Sequence, residues 1–403
     1  MRILFIHNRY QQAGGEDHVV QAETSLLARS GHTIQLWEEN NDSITGLVSS
    51  AKTALQSIYS FGNAHEMRAR IKDFKPDIVH IHNFFPRLSP SVHIACRRAG
   101  IPVVQTLHNF RLLCPGATFH AAERLCEECL ARAVPWPAVM HGCYRHSHLA
   151  SMAVANMLAI HRILGTWNRL VSQFIALSRF ARDKFIAGGF DPMKIAVKPN
   201  FIDFDPGPGS GTGNFALFVG RLAEEKGVET LLTAWGTLHN RPQLKIIGDG
   251  PLADDVAQAA VTNPNIRWLG ARNRQHVRRA MARATVLILP STWYEAFPLV
   301  IAEAFATGLP IIGSKLGSIE ELISNGRTGM LFTPGDAASL LRAVEWAFAH
   351  PEEIRPMRAH ARAEYEQKYT AEANYTQLMR VYEAALGNSP DPVPSAPQLE
   401  AIG

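Results

Sequence analysis

Residues 284–315 read ATVLILPSTWYEAFPLVIAEAFATGLPIIGSK, a stretch that is apolar almost throughout. Its two ends are typical of buried strands, and residues 298–308 between them have the spacing of a helix that ends at a glycine. This order predicts two parallel strands joined by a helix that packs on the sheet. Two carboxylates, Glu295 and Glu303, interrupt the apolar stretch, and burying either of them alone would be costly.

The same alternation fills the rest of the chain. In the first half, helical spacing separates strand-like runs at residues 2–8, 32–39, 76–83 and 102–109. A long helical region is expected at about 147–187, and residues 191–203 close this half. The second half repeats the pattern, with further strand-like runs at residues 214–220, 244–250 and 266–270. The sequence therefore predicts an α/β fold with two doubly wound, Rossmann-like parallel sheets.

These patterns set the expected domain boundaries. We predict an N-terminal domain at 1–204 with a cysteine-containing insert at about 110–146, a linker at 205–213, a second domain at 214–366, a terminal helix at 367–387 and a disordered tail at 388–403. The glycines of the linker do not match G-x-G-x-x-G and precede a strand, which excludes a dinucleotide-binding loop there. Ligands of parallel sheets bind beyond the carboxyl ends of the strands, so we expect a ligand cleft between the two domains.

Composition narrows the class of protein. Apolar residues make up 46% of the chain and charged residues 19%, a balance that supports large buried cores. The chain has no uncharged apolar run of the roughly 18 residues that span a bilayer, and its N-terminus lacks the features of a signal peptide. Five cysteines in 403 residues do not form a secreted disulfide framework. We therefore expect a cytoplasmic protein.

Charge is distributed unevenly between the two halves. Residues 1–199 contain 22 Lys and Arg against 14 Asp and Glu, a balance of +8, whereas the remainder contains 18 against 22, a balance of −4. A basic first half favours an anionic partner, such as a membrane surface, a phosphorylated ligand or a nucleic acid. An ordinary charged, solvated surface explains the same numbers.

Glu295 and Glu303 flank the start of the predicted helix. Pro298 can occupy its first position, which leaves free backbone N–H groups near Leu299 and Val300. Such a helix start suits a phosphate, so carboxylates beside it must face neutral hydroxyl groups. A nucleotide sugar has this layout, with a ribose on one side of its diphosphate and a hexose on the other. The alternative is two solvated glutamates near a helix start.

A second signal for an anionic ligand follows the first strand of the second half. Arg221 comes directly after that strand, and Lys226 lies five residues further on, near a helix start. A guanidinium and an ammonium in these positions can both reach a phosphate. Alone, such a pair is equally typical of a solvated surface.

Taken together, these segments resemble the retaining nucleotide-sugar glycosyltransferases of family 4, which have the GT-B fold. The resemblance extends over residues 1–386 and is carried by residues 176–203, FVGRLAEEKGVETLLTAW at 218–235, LKIIGDGP at 244–251 and the E-x7-E segment at 289–332. It implies that Glu295 contacts the transferred hexose and Glu303 the ribose. It further implies that Arg221 and Lys226 bind the diphosphate, helped by backbone groups from Phe297 to Leu299 and Val300.

The resemblance also assigns residues elsewhere in the chain. In YQQAGGEDHVV (residues 10–20), Gly14 and Gly15 would let the backbone approach the diphosphate and the acceptor. His108, at the end of QTLHN, would face the donor hexose. Gly248 and Gly250 would line the nucleotide pocket, with Gly270 to Arg272 near the base. The terminal helix would cross back to the first domain.

The implied reaction is transfer of a hexose to an acceptor hydroxyl with retention at the anomeric carbon. Arg221 and Lys226 would stabilise the departing diphosphate, and no catalytic metal is required. The expected partners are a nucleotide-diphosphate sugar, a glycan or lipid-linked acceptor of the cell envelope and an anionic membrane surface, to which the protein would bind peripherally; no nucleic acid is expected. The alternatives are a GT-B epimerase, a phosphorylase, or a non-catalytic subunit that binds a sugar nucleotide.

Four cysteines in the insert form a separate pattern. Cys114, Cys126, Cys129 and Cys143 have the spacing C-x11-C-x2-C-x13-C, which can hold a structural zinc ion. Reduced thiols in a loop are the alternative, and nearby histidines leave the ligand set open. Cys96 lies in a helical pattern and is expected to be a core residue.

Overall fold

The structure is a computed structural model of the chain. It describes residues 1–9, 14–40, 56–121, 124–236 and 242–387. The contacts divide the chain into two compact units. Unit 1 contains residues 1–199 and, from Asn374 onward, the end of the chain, and unit 2 contains residues 200–373. The predicted disordered tail, 388–403, lies outside the described residues.

Unit 1 is built on a parallel sheet of six strands. The strands are β1 (Arg2–Arg9), β2 (Thr33–Asn40), β3 (Ile78–Ile81), β4 (Val103–Leu107), β7 (Gln173–Ala176) and β8 (Ile195–Val197), in the order β2-β1-β3-β4-β7-β8. A hairpin of two short strands, β5 (His120–Ala121) and β6 (Arg124–Leu125), belongs to the cysteine-containing insert. The strand order reverses between β1 and β3, where a crevice opens at the carboxyl edge of such a sheet.

Eight helices of unit 1 lie wholly within the described residues, and residues 56–58 are helical as well. The eight helices are α1 (Gly15–Arg29), α2 (Phe61–Phe74), α3 (Ser91–Arg98), α4 (Pro137–Met140), α5 (His148–Ile163), α6 (Thr166–Leu170), α7 (Arg179–Ala187) and most of the terminal helix α15 (Ala371–Ala385). Strand β7 interrupts the region that we expected to be helical from 147 to 187. Its four residues are largely buried, and so short an apolar run gives no periodicity that separates strand from helix.

Unit 2 has a second parallel sheet of six strands. They are β9 (Phe215–Val219), β10 (Gln243–Ile247), β11 (Ile266–Trp268), β12 (Val286–Leu289), β13 (Ile311–Ser314) and β14 (Gly329–Phe332), in the order β11-β10-β9-β12-β13-β14. The helices are α8 (Val228–Trp235), α9 (Ala253–Thr262), α10 (Arg274–Arg283), α11 (Leu299–Ala306), α12 (Gly317–Leu322), α13 (Ala337–Ala349) and α14 (Pro351–Lys368). Here the order reverses between β9 and β12. The predicted α/β fold with two doubly wound sheets is confirmed.

The segment that we predicted as a linker is bound along unit 2. The N–H of Gly209 donates to the Thr307 carbonyl at 2.8 Å, and the N–H of Gly213 donates to the Arg283 carbonyl at 2.7 Å. A Cβ at Gly209 would lie 2.3 Å from the Ala282 carbonyl oxygen, so only glycine permits this approach. The glycines of this segment thus allow tight packing. Among the described residues, no helix combines the length and hydropathy needed to cross a membrane.

Several histidines are buried in unit 1 in a neutral form. His93 on α3 is fully buried, and its Nε2 lies 2.9 Å from Oε1 of Gln105. Burial lowers the pKa of His93 to about 4. In the unfolded chain the same ring has a pKa near 6.5, so between these values the unfolded state binds the additional proton. This difference makes unit 1 less stable as the pH falls from 7 toward 4.

We therefore expect His93 alone to lower the free energy of unfolding by about 2 kcal/mol between pH 7 and pH 5. His93→Gln, which keeps a donor toward Gln105 but cannot titrate, should weaken the pH dependence by that amount in urea unfolding followed by tryptophan fluorescence. His65→Gln, which changes an exposed histidine on α2, is the matched control. Equal pH dependence in His93→Gln and the unmodified protein would contradict this explanation.

Candidate functional site

The predicted phosphate-binding residues lie at the carboxyl edge of the second sheet. Arg221 follows β9 and is exposed, and Lys226 ends a short 3-10 turn, Glu224–Lys226, just before α8. Glu295 lies in the loop after β12, the strand next to β9. Because the order of strands reverses between β9 and β12, these loops border the crevice in which ligands of open parallel sheets bind.

A backbone contact fixes the two loops against each other. Gly227, with φ of 70°, lies so close to the end of β12 that a Cβ there would be 1.8 Å from the Pro290 carbonyl oxygen. The N–H of Thr292 also donates to the carbonyl of Glu225 at 3.0 Å. The loop that carries Lys226 is therefore attached to the loop that carries Glu295.

This attachment brings Lys226 and Glu295 together. Lys226 Nζ lies 2.8 Å from Glu295 Oε2, and the Ser291 hydroxyl donates to Glu295 Oε1 at 2.6 Å. The Ser318 hydroxyl donates to the backbone carbonyl of Glu295, also at 2.6 Å. A carboxylate in an otherwise apolar stretch is thus satisfied by one cation and one hydroxyl, and its loop is fixed by a third group.

Glu303 lies on the first turns of α11. Pro298 caps this helix and Leu299 begins it, one residue later than predicted, and Phe297 before it is buried. Burial raises the pKa of Glu303, and the positive charges of two α10 residues, Arg274 and Arg278, partly oppose that effect. Leu299 and Val300 supply the first N–H groups of α11, as expected for a helix start that faces an anion.

The glycines of the GDG segment after β10 hold the Arg221 loop. A Cβ at Gly248 would lie 1.8 Å from the Gly220 carbonyl oxygen, and one at Gly250 would lie 2.5 Å from that of Leu222. The N–H of Leu222 donates to the Asp249 carbonyl at 2.9 Å. These glycines therefore permit a close backbone approach that positions the Arg221 loop. Arg272 is exposed in the loop after β11, whose Gly270 carbonyl accepts from the Gly248 N–H at 3.1 Å.

The corresponding edge of the first sheet carries the predicted glycines. Gly14 caps α1 and Gly15 begins it, although residues 10–13 of the same loop lie outside the described residues. The Gly14 N–H donates to Asp17 Oδ2 at 2.7 Å, and Asp17 Oδ1 lies 2.8 Å from His7 Nε2. The start of α1 is therefore anchored to the end of β1 by one carboxylate.

His108 follows β4 at the same edge and belongs to a buried polar chain. Its Nε2 lies 2.8 Å from His82 Nδ1, and His82 Nε2 lies 3.3 Å from Glu23 Oε2. The other Glu23 oxygen is 2.6 Å from Lys198 Nζ, and both of these side chains are almost completely buried. Glu23 therefore lies against the Nε2 side of the His82 ring, and His108 lies against its Nδ1 side.

The burial and the charges of the side chains from Glu23 to His108 favour an uncharged His108. Burial lowers the pKa of His108 well below its ordinary value, and repulsion from His82 adds to the effect. Burial alone would raise the pKa of Glu23, but the Lys198 ammonium and His82 hold it well below its usual range. Glu23 is thus an anion with a permanent cation beside it, and His108 is an imidazole without charge.

The partners of His108 were not predicted from the sequence. Glu23, His82 and Lys198 come from helix α1, the end of β3 and the segment after β8, and only folding brings them together. The available signal was VHIHN, which places two histidines at the carboxyl end of a predicted strand. His80, two residues before His82, is buried between the hydroxyls of Thr106 and Tyr382, each 2.8 Å away.

We expect Gly227→Ala to destabilise unit 2 more than Gly335→Ala. Both glycines have positive φ, 70° and 75°, so both substitutions carry a backbone penalty of about 1–2 kcal/mol. A Cβ at Gly335 meets open space, whereas at Gly227 it meets the Pro290 carbonyl. Urea unfolding should therefore give a loss at least about 2 kcal/mol larger for Gly227→Ala. Similar losses in the two variants would contradict the proposed contact between the loops.

Comparison with known proteins gives the family. The family described as Glycosyltransferase Family 4 matches residues 13–206, and the one described as Glycosyl transferases group 1 matches residues 213–350. Glycogen synthase of Mycobacterium tuberculosis is 26% identical, and the alignment covers 99% of each chain. Phosphatidyl-myo-inositol mannosyltransferase of Mycobacterium leprae is 29% identical over 59% of this chain and 65% of its own.

A solved structure gives the fold. The crystal structure of Anabaena Alr3699/HepE in complex with UDP-glucose has a TM-score of 0.64 at 18% identity, and the match covers 94% of this chain and 98% of that chain. It supports two Rossmann-like units of the GT-B type, in agreement with the two six-stranded parallel sheets. The two family matches together span most of the chain, which is therefore a GT-B glycosyltransferase and belongs to glycosyltransferase family 4.

Proposed function

We propose that this glycosyltransferase moves a hexose from a nucleotide-diphosphate sugar to an acceptor hydroxyl with retention of configuration. The observation that carries the proposal is the Lys226–Glu295 pair, held at the switch point of the second sheet beside the start of α11. One cation, one carboxylate and the first N–H groups of α11 at this point suit a ligand that combines phosphate with sugar hydroxyls.

The donor diphosphate is assigned to Arg221, Lys226 and the first N–H groups of α11. Negative charge grows on the diphosphate as the glycosidic bond breaks, and positive groups placed beforehand stabilise that charge without reorganisation. Arg221 is exposed at the end of β9, so its guanidinium is accessible to a ligand. In this proposal these groups provide the positive charge, and transfer proceeds without a catalytic metal ion.

The two carboxylates are assigned to the two sugars of the donor. Glu303 on α11 takes the ribose, and Glu295 takes the hexose. Without donor, Glu295 accepts from Lys226 and Ser291, which holds the carboxylate in place before a hydroxyl arrives. In unit 1, neutral His108 is assigned to the transferred hexose, because an uncharged imidazole can donate or accept a hydrogen bond there. Its pKa agrees with this role.

Two measurements test the reaction itself. Incubation with a panel of nucleotide sugars, without added divalent cation, should release free nucleotide from one donor class when a suitable acceptor is present. Proton NMR of the product should give the same anomeric configuration as the donor. An inverted product would overturn the retaining mechanism, and release that depends strictly on an added divalent cation would overturn the metal-independent one.

The two glutamates should fail in different ways. Ribose is bound alike before and during reaction, so Glu303→Ala should weaken binding of the free nucleoside diphosphate about tenfold or more. Glu295→Ala should leave that affinity nearly unchanged while the transfer rate collapses, since only the hexose loses a contact. Calorimetry beside transfer rates separates the roles, with Glu345→Ala, which changes an exposed residue of α13, as the control. Equal losses of nucleotide affinity in both variants would contradict the assignment.

Lys226 and Glu295 should couple in a double-mutant cycle. Lys226→Ala and Glu295→Ala each leave the other charge without its 2.8 Å partner, so their effects on transfer should deviate from additivity by about 0.5–3 kcal/mol. Lys226→Ala with Glu303→Ala is the comparison cycle, because the structure gives no contact between those two described residues. Additive behaviour in the first cycle would mean that the pair does not act as a unit.

The acceptor side of the proposal rests on an exposed apolar face of α5. Leu149, Met152, Ile160, Ile163 and Leu164 follow the three- and four-residue spacing of one helix face and are 38–75% exposed. The short helix α4 packs beside α5 and adds exposed Trp136 and Met140. We call this set the α5 face.

The charged residues around the α5 face are all basic, which indicates an anionic partner. Residues 129–182 contain no Asp or Glu and six arginines, at positions 132, 145, 162, 169, 179 and 182. An apolar helix face in a wholly cationic segment is the pattern of a helix that lies in the surface of an anionic bilayer. We therefore propose that unit 1 docks on an anionic membrane and that the acceptor is lipid-linked, as in cell-envelope glycan or glycolipid synthesis.

Liposome flotation tests the docking. The protein should float with vesicles that contain anionic phosphatidylglycerol, bind less as salt increases and bind weakly to phosphatidylcholine alone. Leu149→Ser combined with Ile163→Ser should lower the membrane partition coefficient at least about tenfold, since each side chain contributes about 1.5 kcal/mol or more when buried. Val261→Ser, which changes an 82% exposed valine of unit 2, should have no effect. Unchanged flotation of the double variant would overturn the proposal.

A further inference from the structure

The cysteine-containing insert of unit 1 lies outside the residues assigned to transfer. Its four cysteines line one cavity of about 10 Å³, which has the size of a single small ion or water. His120 and His141 complete the ligating side chains of the wall. A Cβ placed on Gly116 would lie 3.4 Å from the Cβ of Cys143 and 3.7 Å from Sγ of Cys114, so these two cysteines approach the same small volume.

Backbone hydrogen bonds present the cysteines to this cavity. The β5–β6 hairpin leads directly into Cys126, whose N–H donates to the Phe119 carbonyl at 2.8 Å. The C-x2-C segment then turns, with the N–H of Leu130 donating to the Glu127 carbonyl at 2.9 Å. A hairpin followed by a C-x2-C turn is a common way of presenting two thiolates to a zinc ion.

The insert has few other means of holding its shape. In the part of the insert that the structure describes, which omits residues 122–123, the regular structure amounts to two strands of two residues and the single-turn helix α4. Seven non-glycine residues have positive φ in the described part of the chain, and five of them belong to this insert: Ala117, Phe119, Ala131, Arg145 and His146. Such conformations cost about 1 kcal/mol or more each and persist only where surrounding contacts over-determine them. A small, irregular element of this kind usually needs a metal or disulfides.

We propose that Cys114, Cys126, Cys129 and Cys143 bind one structural zinc ion. Four thiolates around an ion-sized cavity favour tetrahedral zinc, and this site is separate from the proposed transfer chemistry. His141 is placed at the rim, because its Nε2 already contacts Glu128 Oε2 at 3.3 Å. Cys126, Glu128 and His141 do lie within 4.8 Å of one another through their ligating atoms, so His141 is the residue that the experiment must separate from the thiols.

Zinc at this position would stabilise the loop that leads from His108. Cys114 is six residues beyond His108, and the Arg162 guanidinium on α5 donates to the carbonyls of Leu112 at 3.1 Å and Leu113 at 2.6 Å. The metal and Arg162 would therefore fix the same loop from two sides. Removing the metal should increase hydrogen exchange at residues 108–116 and leave β9 to β14 of unit 2 unchanged.

Elemental analysis of the full chain, purified without a metal-affinity tag, tests the site. We expect about one zinc per chain, released in step with titration of four thiols by a mercurial reagent. Single Cys→Ser variants at the four positions should contain less than about a tenth of that zinc, and Cys96→Ala, a buried cysteine outside the insert, should retain it. Replacing zinc with cobalt should give the strong visible bands of a tetrahedral thiolate site, a readout that needs no catalytic activity.

Three results would contradict the zinc proposal or its ligand set. Less than about a tenth of a zinc per chain in the unmodified protein, with all five thiols freely titratable or four of them paired in disulfides, overturns the proposal. Stoichiometric iron in place of zinc, with an iron–sulfur absorbance, does so as well. His141→Ala should keep its zinc; if it loses the metal while one of the cysteine variants retains it, the assignment of four thiolates is wrong.

Discussion

The contact between the loops after β9 and β12 is the constraint on which the candidate donor site depends. Gly227 can approach the Pro290 carbonyl only because it lacks a Cβ, and this approach places Lys226 at 2.8 Å from Glu295. The two strands are neighbours in the sheet, and the strand order reverses between them. The strand order thus places these two loops side by side, and Gly227 allows them to touch. The Lys226–Glu295 ion pair then holds in place the ammonium group that a diphosphate would contact.

Unit 1 uses a different arrangement at its own carboxyl edge. Glu23 and Lys198 form a 2.6 Å ion pair that is almost fully buried, and removing two charges from water costs more than such a pair usually returns in stability. The ion pair is better explained by where it places Glu23, because Glu23 also faces His82, and His82 contacts His108. The ion pair thus keeps the Glu23 carboxylate behind the His82 and His108 rings. The 2.8 Å contact with His82 occupies Nε2 of His108.

The sequence predicted those features that depend on local pattern. Most strands, among them the four-residue β3 and β12, and the E-x7-E segment were recognisable because periodicity and turn residues are encoded within short windows. Strand β7 was not, since its short apolar run has no periodicity of its own and lies between the helical segments α6 and α7. The chain from Glu23 to His108 was not either, because its members are separated by up to 175 positions and meet only in the folded sheet. The close approach of Gly209 to the Ala282 carbonyl was not predicted either, because the sequence of 205–213 does not show what surrounds a glycine in the fold.

We propose that the carboxyl edge of the second sheet binds the nucleotide part of the donor. Hydrogen exchange of the full chain, with and without saturating UDP, ADP or GDP, measures this most directly. One of the nucleotides should protect the loops at 220–227, 248–252, 269–273 and 290–303, while strand β14 on the outer edge of the same sheet remains unchanged. If a nucleotide demonstrably binds but none of these four loops is protected, the donor site does not lie at this edge of the sheet.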